Sequence, residues 1–146
     1  MGNNKQKRVY LDTNVFKNYL SGENTIIPHS YFAFETFKKI RDEQFILIVS
    51  DWLKEECKKI GISSENFEKI IHEFNLKTEE VKTSKEDIEK TRKICRSTNE
   101  THYADALHAV LAIKAKTDFL VTGNIEHFSI FIDKIEILFP SDFLNV

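Results

Sequence analysis

"FILIVSDWLKEECKKIG" (Phe45–Gly61) is the stretch that decides the fold. Phe45–Val49 is a continuous apolar run without the alternation of a half-solvated strand. Such a run marks a strand covered on both faces, as in the middle of a parallel sheet. A polar, helical segment follows with no intervening loop. Asp51 is expected to cap its start and Gly61 its end. Leu53, Cys57 and Ile60 recur at helical spacing as its buried stripe. A buried strand that runs straight into a capped amphipathic helix is half of a β–α–β crossover.

Working outward, the pattern repeats. "RVYLD" (8–12), "DFLVTG" (118–123) and "KIEILFP" (134–140), the last ended by Pro140, read as three more strands. "NVFKNYLS" (14–21) reads as a helix with Val15, Phe16 and Leu20 along one side. "YFAFETFKKIRDE" (31–43) carries Phe34, Phe37 and Ile40 at helical spacing, after a loop containing Gly22 and Pro28. "SSENFEKIIHEFN" (63–75) opens on a capping Ser and presents Phe67, Ile70, Ile71 and Phe74. "SKEDIEKTRKIC" (84–95) has the Ser84…Asp87 spacing of a capping box. "THYADALHAVLAIKAK" (101–116) is an Ala-rich helix with Ala104, Leu107, Leu111 and Ala115 on one face. Strands alternating with helices predict an α/β fold: a three-layer α/β/α arrangement around a central parallel sheet. In such sheets functional groups gather at the carboxyl ends of the strands, where strand order reverses.

Composition narrows the field. A chain of 146 residues predicts a single domain over 1–146 with enough core to need no disulfide or structural metal. Apolar residues make up 41% and charged residues 30%, an ordinary globular mixture, with twelve Phe pointing to an aromatic core. The net charge of −2 disfavours a broad basic nucleic-acid surface. Cys57 and Cys95 fall at apolar helical positions and lack CxxC spacing, so they read as buried thiols rather than a disulfide or zinc ligands. No signal peptide, myristoylation pattern or membrane-length apolar run is visible, so the expected compartment is the cytoplasm.

The chemistry lies in the acids. Asp12 ends the first strand. Glu55 and Glu56 fall in the helix after "FILIVS"; Glu56 leans over the buried face and Glu55 points further round. Asp105 is flanked by Ala104 and Ala106. Thr122 and Asn124 end the strand "DFLVTG". Converging carboxylates repel unless protonated or neutralised by a cation. An all-oxygen donor set suits Mg²⁺ or Mn²⁺ rather than Zn²⁺. Such an ion activates water and neutralises phosphoryl charge, which would let an acidic pocket accept a nucleic-acid phosphate. His102 and His108 flank Asp105 at three-residue intervals, but no HExxH or His-x₃-His pair exists, so a zinc site is disfavoured. His127 reads as structural or substrate-adjacent. The start "NNKQKR" (3–8) reads as a phosphate contact or an unstructured end.

The set "YLDTNVF", "SDWLKEEC", "YADALHAVLA", "DFLVTGNIEHF" and "ILFPSDFL" resembles the PIN domain family, in the same order and over nearly the whole chain. These are single-domain, metal-dependent ribonucleases with a parallel sheet, and they include the VapC-like toxins of toxin–antitoxin pairs. By position, the resemblance makes Asp12, Glu56 and Asp105 the catalytic, metal-binding acids. Glu56 is preferred to Glu55 because an apolar residue follows it. A fourth acidic position falls on Asn124, an oxygen ligand without charge, which favours one well-held metal over two. Asn14 and Thr122 become polar support. The implied reaction is hydrolysis of RNA by in-line attack of water, leaving 5′-phosphate and 3′-hydroxyl ends. The resemblance also implies a homodimer and an antitoxin partner. Asn124 motivates a second reading, a non-catalytic PIN-like module that holds RNA or a protein. A third, an aspartyl phosphatase, would need a second Asp where Asn14 stands.

Overall fold

Val9, Tyr10 and Leu11 are fully buried although successive side chains of a strand point to opposite faces. Their strand therefore has apolar layers on both sides. The computed structural model, which describes residues 5–21 and 28–146, shows how these are supplied. Strands β1 (Arg8–Leu11), β2 (Ile46–Ser50), β3 (Lys77–Val81), β4 (Phe119–Val121) and β5 (Glu136–Leu138) form one sheet in the order β3-β2-β1-β4-β5. Every neighbouring pair is parallel. The connections hold α1 (Thr13–Ser21), α2 (His29–Asp42), α3 (Asp51–Lys59), α4 (Ser64–Glu73), α5 (Lys85–Ser97), α6 (Tyr103–Lys114) and a 3₁₀ segment, Ile125–Phe131; α7 (Pro140–Phe143) closes the chain.

The strands separate two cores. On one face Val9, Leu11, Leu47, Val49, Phe119 and Val121 pack against Phe16, Phe37, Leu53, Phe67, Phe74 and Phe143, from α1 to α4 and α7. On the other, Tyr10, Ile48 and Leu120 lie beneath Leu107 and Leu111 of α6 and Phe128 and Phe131 of the 3₁₀ segment. This is the expected three-layer α/β/α arrangement. From β1 the chain builds first toward β3 and then returns to β4 on the other side. The strand order thus reverses between β1 and β4, so Asp12 and Thr122 emerge side by side at the switch point.

Several local expectations change. The sheet has a fifth strand, β3, which the sequence does not reveal because four of the five residues in "KTEEV" are exposed at the sheet edge. Charged edge strands discourage pairing with other chains. Ser50, not Asp51, caps α3: its hydroxyl accepts the Leu53 N–H at 2.9 Å. Asp51 instead accepts from the Thr83 N–H and hydroxyl. Gly61 does follow the helix end in the left-handed region, with φ of +90°. Leu20, Phe34 and Ile60 are exposed rather than buried. Tyr19 takes the inward place in α1, against Phe37 and Phe74. Pro140 opens α7 rather than ending β5. The capping box at Ser84 and Asp87 is formed. Arg8 is committed elsewhere than a phosphate: it makes two hydrogen bonds to Glu79, at 2.8 and 2.7 Å, and one to the Ala115 carbonyl. Gly22 and the start of "NNKQKR" lie outside the described residues.

Phe37 is fully buried and its ring lies 5.3 Å from those of Phe16, Tyr19 and Phe74. Phe37→Ala is expected to cost about 3–5 kcal/mol in urea unfolding. Phe34→Ala, at an exposed position, should cost far less; equal losses would contradict this assignment of the core.

Candidate active site

The end of β1 places Asp12 through its backbone, because the Asp12 N–H continues the sheet by donating to the Val121 carbonyl at 2.9 Å. Its side chain is buried, and each carboxylate oxygen has one donor. Oδ1 accepts the Thr13 N–H and Oδ2 the Thr122 hydroxyl, both at 2.7 Å. Asp12 therefore both satisfies the first amide of α1 and faces the cleft. Thr122, fully buried behind it, also accepts the Asn124 N–H at 3.0 Å. Asn14 accepts the Gly123 N–H at 3.4 Å, which ties the β1 and β4 turns together. A side chain on Gly123 would meet the Asn14 amide.

The helix after β2 brings Glu56 to the same place. Its Oε1 accepts from the Thr13 hydroxyl at 2.9 Å and lies 2.5 Å from His108 Nε2. Burial alone would raise the Glu56 carboxyl, but the bonds from His108 and Thr13 outweigh it and hold the group below the ordinary carboxylate value. Glu55 is exposed and pairs with Lys58 at 3.6 Å, so Glu56 is the member of the pair that faces inward. The next residue, Cys57, is an inert core thiol whose pKa burial pushes up to about 12. Asp105, in the first turn of α6, lies 3.2 Å from His127 Nδ1. Burial pushes its carboxyl up, and Asp12 adds to the effect; attraction to His127 only partly offsets it.

Asp12, Asn14, Glu56, Asp105 and Asn124 line one open cleft of about 340 Å³. Of the six residues expected to form or support the site, only Thr122 stands behind the wall rather than in it. His108 stands closer to the acids than the sequence implies. One oxygen each of Asp12 and Glu56 and a ring nitrogen of His108 lie within 4.8 Å of one another. The sequence places His108 three residues beyond Asp105 but offers it only as a disfavoured zinc ligand; its bond to Glu56 is what spacing along one helix cannot show.

The family model of the PIN domain matches residues 8–126, which include Asp12, Asn14, Glu56, Asp105, His108 and Asn124. The chain belongs to the PIN domain family. A solved chain of VapBC2 from Rickettsia felis, bound to a DNA fragment from their promoter, has a similar fold. Its TM-score is 0.61 at 17% identity, over 90% of this chain and 96% of that one. Comparison with curated proteins gives no match.

The side chains of this PIN domain fit a divalent cation. Three carboxylates and the Asn124 side chain line one cleft, with Asp12 and Glu56 in the close group and Asp105 on the same wall. Among the described residues none of the three acids pairs with Lys or Arg; their close basic partners are His108 and His127. Hard oxygen donors with excess negative charge are what Mg²⁺ and Mn²⁺ require. No helix among the described residues is long and apolar enough to cross a membrane.

The direction of the Asp105 shift gives a test without metal. An acid whose pKa is raised on folding destabilises the folded state at neutral pH. That cost falls as pH drops through the folded-state pKa and is gone below the unfolded one. Metal-free Asp105→Asn should therefore melt higher than the wild type at pH 7, and the difference should vanish in acid. A lower melting temperature at pH 7 would contradict the crowding described.

Proposed function

We propose that this PIN domain is a Mg²⁺- or Mn²⁺-dependent endoribonuclease that acts in the cytoplasm as the toxin component of a toxin–antitoxin pair. The observation that carries this reading is the convergence of Asp12, Glu56 and Asp105 in one cleft at the β1/β4 switch point. These three acids would hold the ion, with the Asn124 carboxamide as an uncharged fourth donor. A bound divalent cation lowers the pKa of water and neutralises charge on a phosphoryl group.

The protein's own groups do the rest. Thr122 and the Thr13 N–H fix the two oxygens of Asp12, leaving lone pairs toward the cleft. Thr13 and His108 fix Glu56. Asn14 secures the turn that carries Asn124. Lys17 and Lys59 stand on the cleft wall without occupying it, where they would meet backbone phosphates. The Lys59 ammonium rests 4.8 Å from the Trp52 ring. Two local lysines supply the attraction that a net charge of −2 does not.

The fold likeness to a VapBC2 chain supports the toxin assignment and, with it, an antitoxin partner; the homodimer rests on the family resemblance alone. The uncharged Asn124 favours a single metal. Should the acids hold no metal, the same fold would serve as a non-catalytic binder of RNA or protein.

Purified protein is expected to cleave RNA only with Mn²⁺ or Mg²⁺ and to leave 5′-phosphate ends. Asp12→Asn and Asp105→Asn should each lower the rate by roughly a thousandfold, or about 4 kcal/mol of transition-state stabilisation. Glu55→Gln should stay near wild type and Glu56→Gln should not. Full cleavage by either Asp variant, or by the wild type in EDTA, would overturn the assignment.

A further inference from the structure

His108 is fully buried, yet it belongs neither to the apolar core nor to the acids singled out in the sequence. Both its ring nitrogens are bonded. Nε2 meets Glu56 Oε1 at 2.5 Å and Nδ1 meets the Tyr10 hydroxyl at 2.5 Å. Tyr10 in turn meets the Ser50 hydroxyl at 2.7 Å, and Ser50 accepts the Leu53 N–H as the cap of α3. Ser50, Tyr10 and His108 are all wholly shielded from solvent. The chain of bonds links β2, β1 and α6 and returns to α3, the helix that bears Glu56.

Counting protons gives the chain a direction. A carboxylate only accepts, and Glu56 Oε1 already accepts from Thr13. If His108 carried its proton on Nδ1, the bare Nε2 would face that oxygen lone pair to lone pair. With protons on both nitrogens, Tyr10 would have to donate to Ser50, which already accepts from Leu53, and the Ser50 proton would have no acceptor; with the proton on Nε2 alone, every member is satisfied. His108 donates to Glu56, Tyr10 donates to Nδ1, and Ser50 donates to Tyr10. A phenol carries one hydroxyl proton, which Tyr10 can give to Nδ1 while accepting from Ser50. A buried polar chain with one consistent direction and no orphan holds its terminal group rigidly.

We propose that His108 is a positioning residue, held as the Nε2–H tautomer by Tyr10 and Ser50, which fixes Glu56 for the divalent cation without itself ligating it. This deepens the ribonuclease reading and rests on it only in taking Glu56 as a metal ligand. It separates His108 from the cation even though its ring nitrogen lies among the acids: the Nε2 proton is committed to Glu56 and the Nδ1 lone pair to Tyr10. Tyr10→Phe is the sharpest variant, because it keeps the ring and deletes only the hydroxyl. His108→Gln can keep an N–H aimed at Glu56, whereas His108→Ala cannot.

Two measurements test the proposal on the full chain. The first is ¹H–¹⁵N correlation of the histidine rings. His108 should show a protonated Nε2 and a bare Nδ1 in metal-free protein, and should keep the Nε2 proton when Mg²⁺ is added. A protonated Nδ1, as the other tautomer or as the imidazolium, or loss of the Nε2 proton with Mg²⁺, overturns it. The second is Mn²⁺ titration by calorimetry, on variants whose circular dichroism matches the wild type. Tyr10→Phe and His108→Ala should bind Mn²⁺ about tenfold or more weakly, as expected when an outer-shell partner is lost, and His108→Gln should recover most of the affinity. Wild-type affinity in both Tyr10→Phe and His108→Ala overturns it. Should the wild type bind no Mn²⁺, the ribonuclease reading fails, and the tautomer measurement still decides whether His108 is locked as described.

Discussion

Carboxylates held together in a half-buried cleft repel, and the fold has to hold Asp12, Glu56 and Asp105 together nonetheless. It does so mainly by surrounding two of them with hydrogen-bond donors. Thr122 and the Thr13 amide serve Asp12. The Thr13 hydroxyl and His108 serve Glu56. Asp105 receives least, a single histidine at 3.2 Å, and burial drives its carboxyl upward. The two apolar cores offset this cost, since their packing sets β1 beside β4 and α6 across from α3. An arrangement that is locally unfavourable but supported from outside is characteristic of functional sites.

Much of this fold is legible in the amino-acid sequence. The apolar run of β2 and the alternation of strands with capped helices point to the parallel three-layer arrangement. What escapes is the edge. β3 lies at the sheet boundary with four of its five residues exposed, so it carries none of the hydrophobic signal that marks a strand. Helix faces are blurred for a related reason. Periodicity places Leu20, Phe34 and Ile60 near the apolar stripe, but only the neighbouring elements decide where the stripe ends. Phe34 sits at its margin, exposed yet touching Phe74 edge-on.

The site is legible where its signal is local. Asp12, Glu56, Asp105 and Asn124 stand at strand ends or in the helices that follow, where chemistry is expected in such sheets, and the structure gathers them into one cleft. His108 is visible beside Asp105 in the sequence, where it suggests only a disfavoured zinc ligand; its bonds to Glu56 and Tyr10 escape. Its partners are distant in the chain: Tyr10 is 98 residues away and Glu56 is 52. Ser50 reads as the last residue of a strand, yet it both caps α3 and anchors the Tyr10 hydroxyl. Bonds between distant residues leave no period or spacing to detect.

Membership of the PIN domain family, the similar fold of a VapBC2 chain and the cleft itself are consistent with one centre that uses oxygen ligands on a divalent ion. On the proposed reading, Lys17 and Lys59 on the cleft wall would meet the phosphates of the substrate. The most direct measurement of this account is the anomalous difference map of crystals soaked in Mn²⁺. The account predicts a peak bounded by Asp12, Glu56, Asp105 and Asn124, with oxygen ligands and with His108 still bonded to Glu56. A cleft without a peak under saturating Mn²⁺, or a peak bound through His108 in place of the carboxylates, would contradict it.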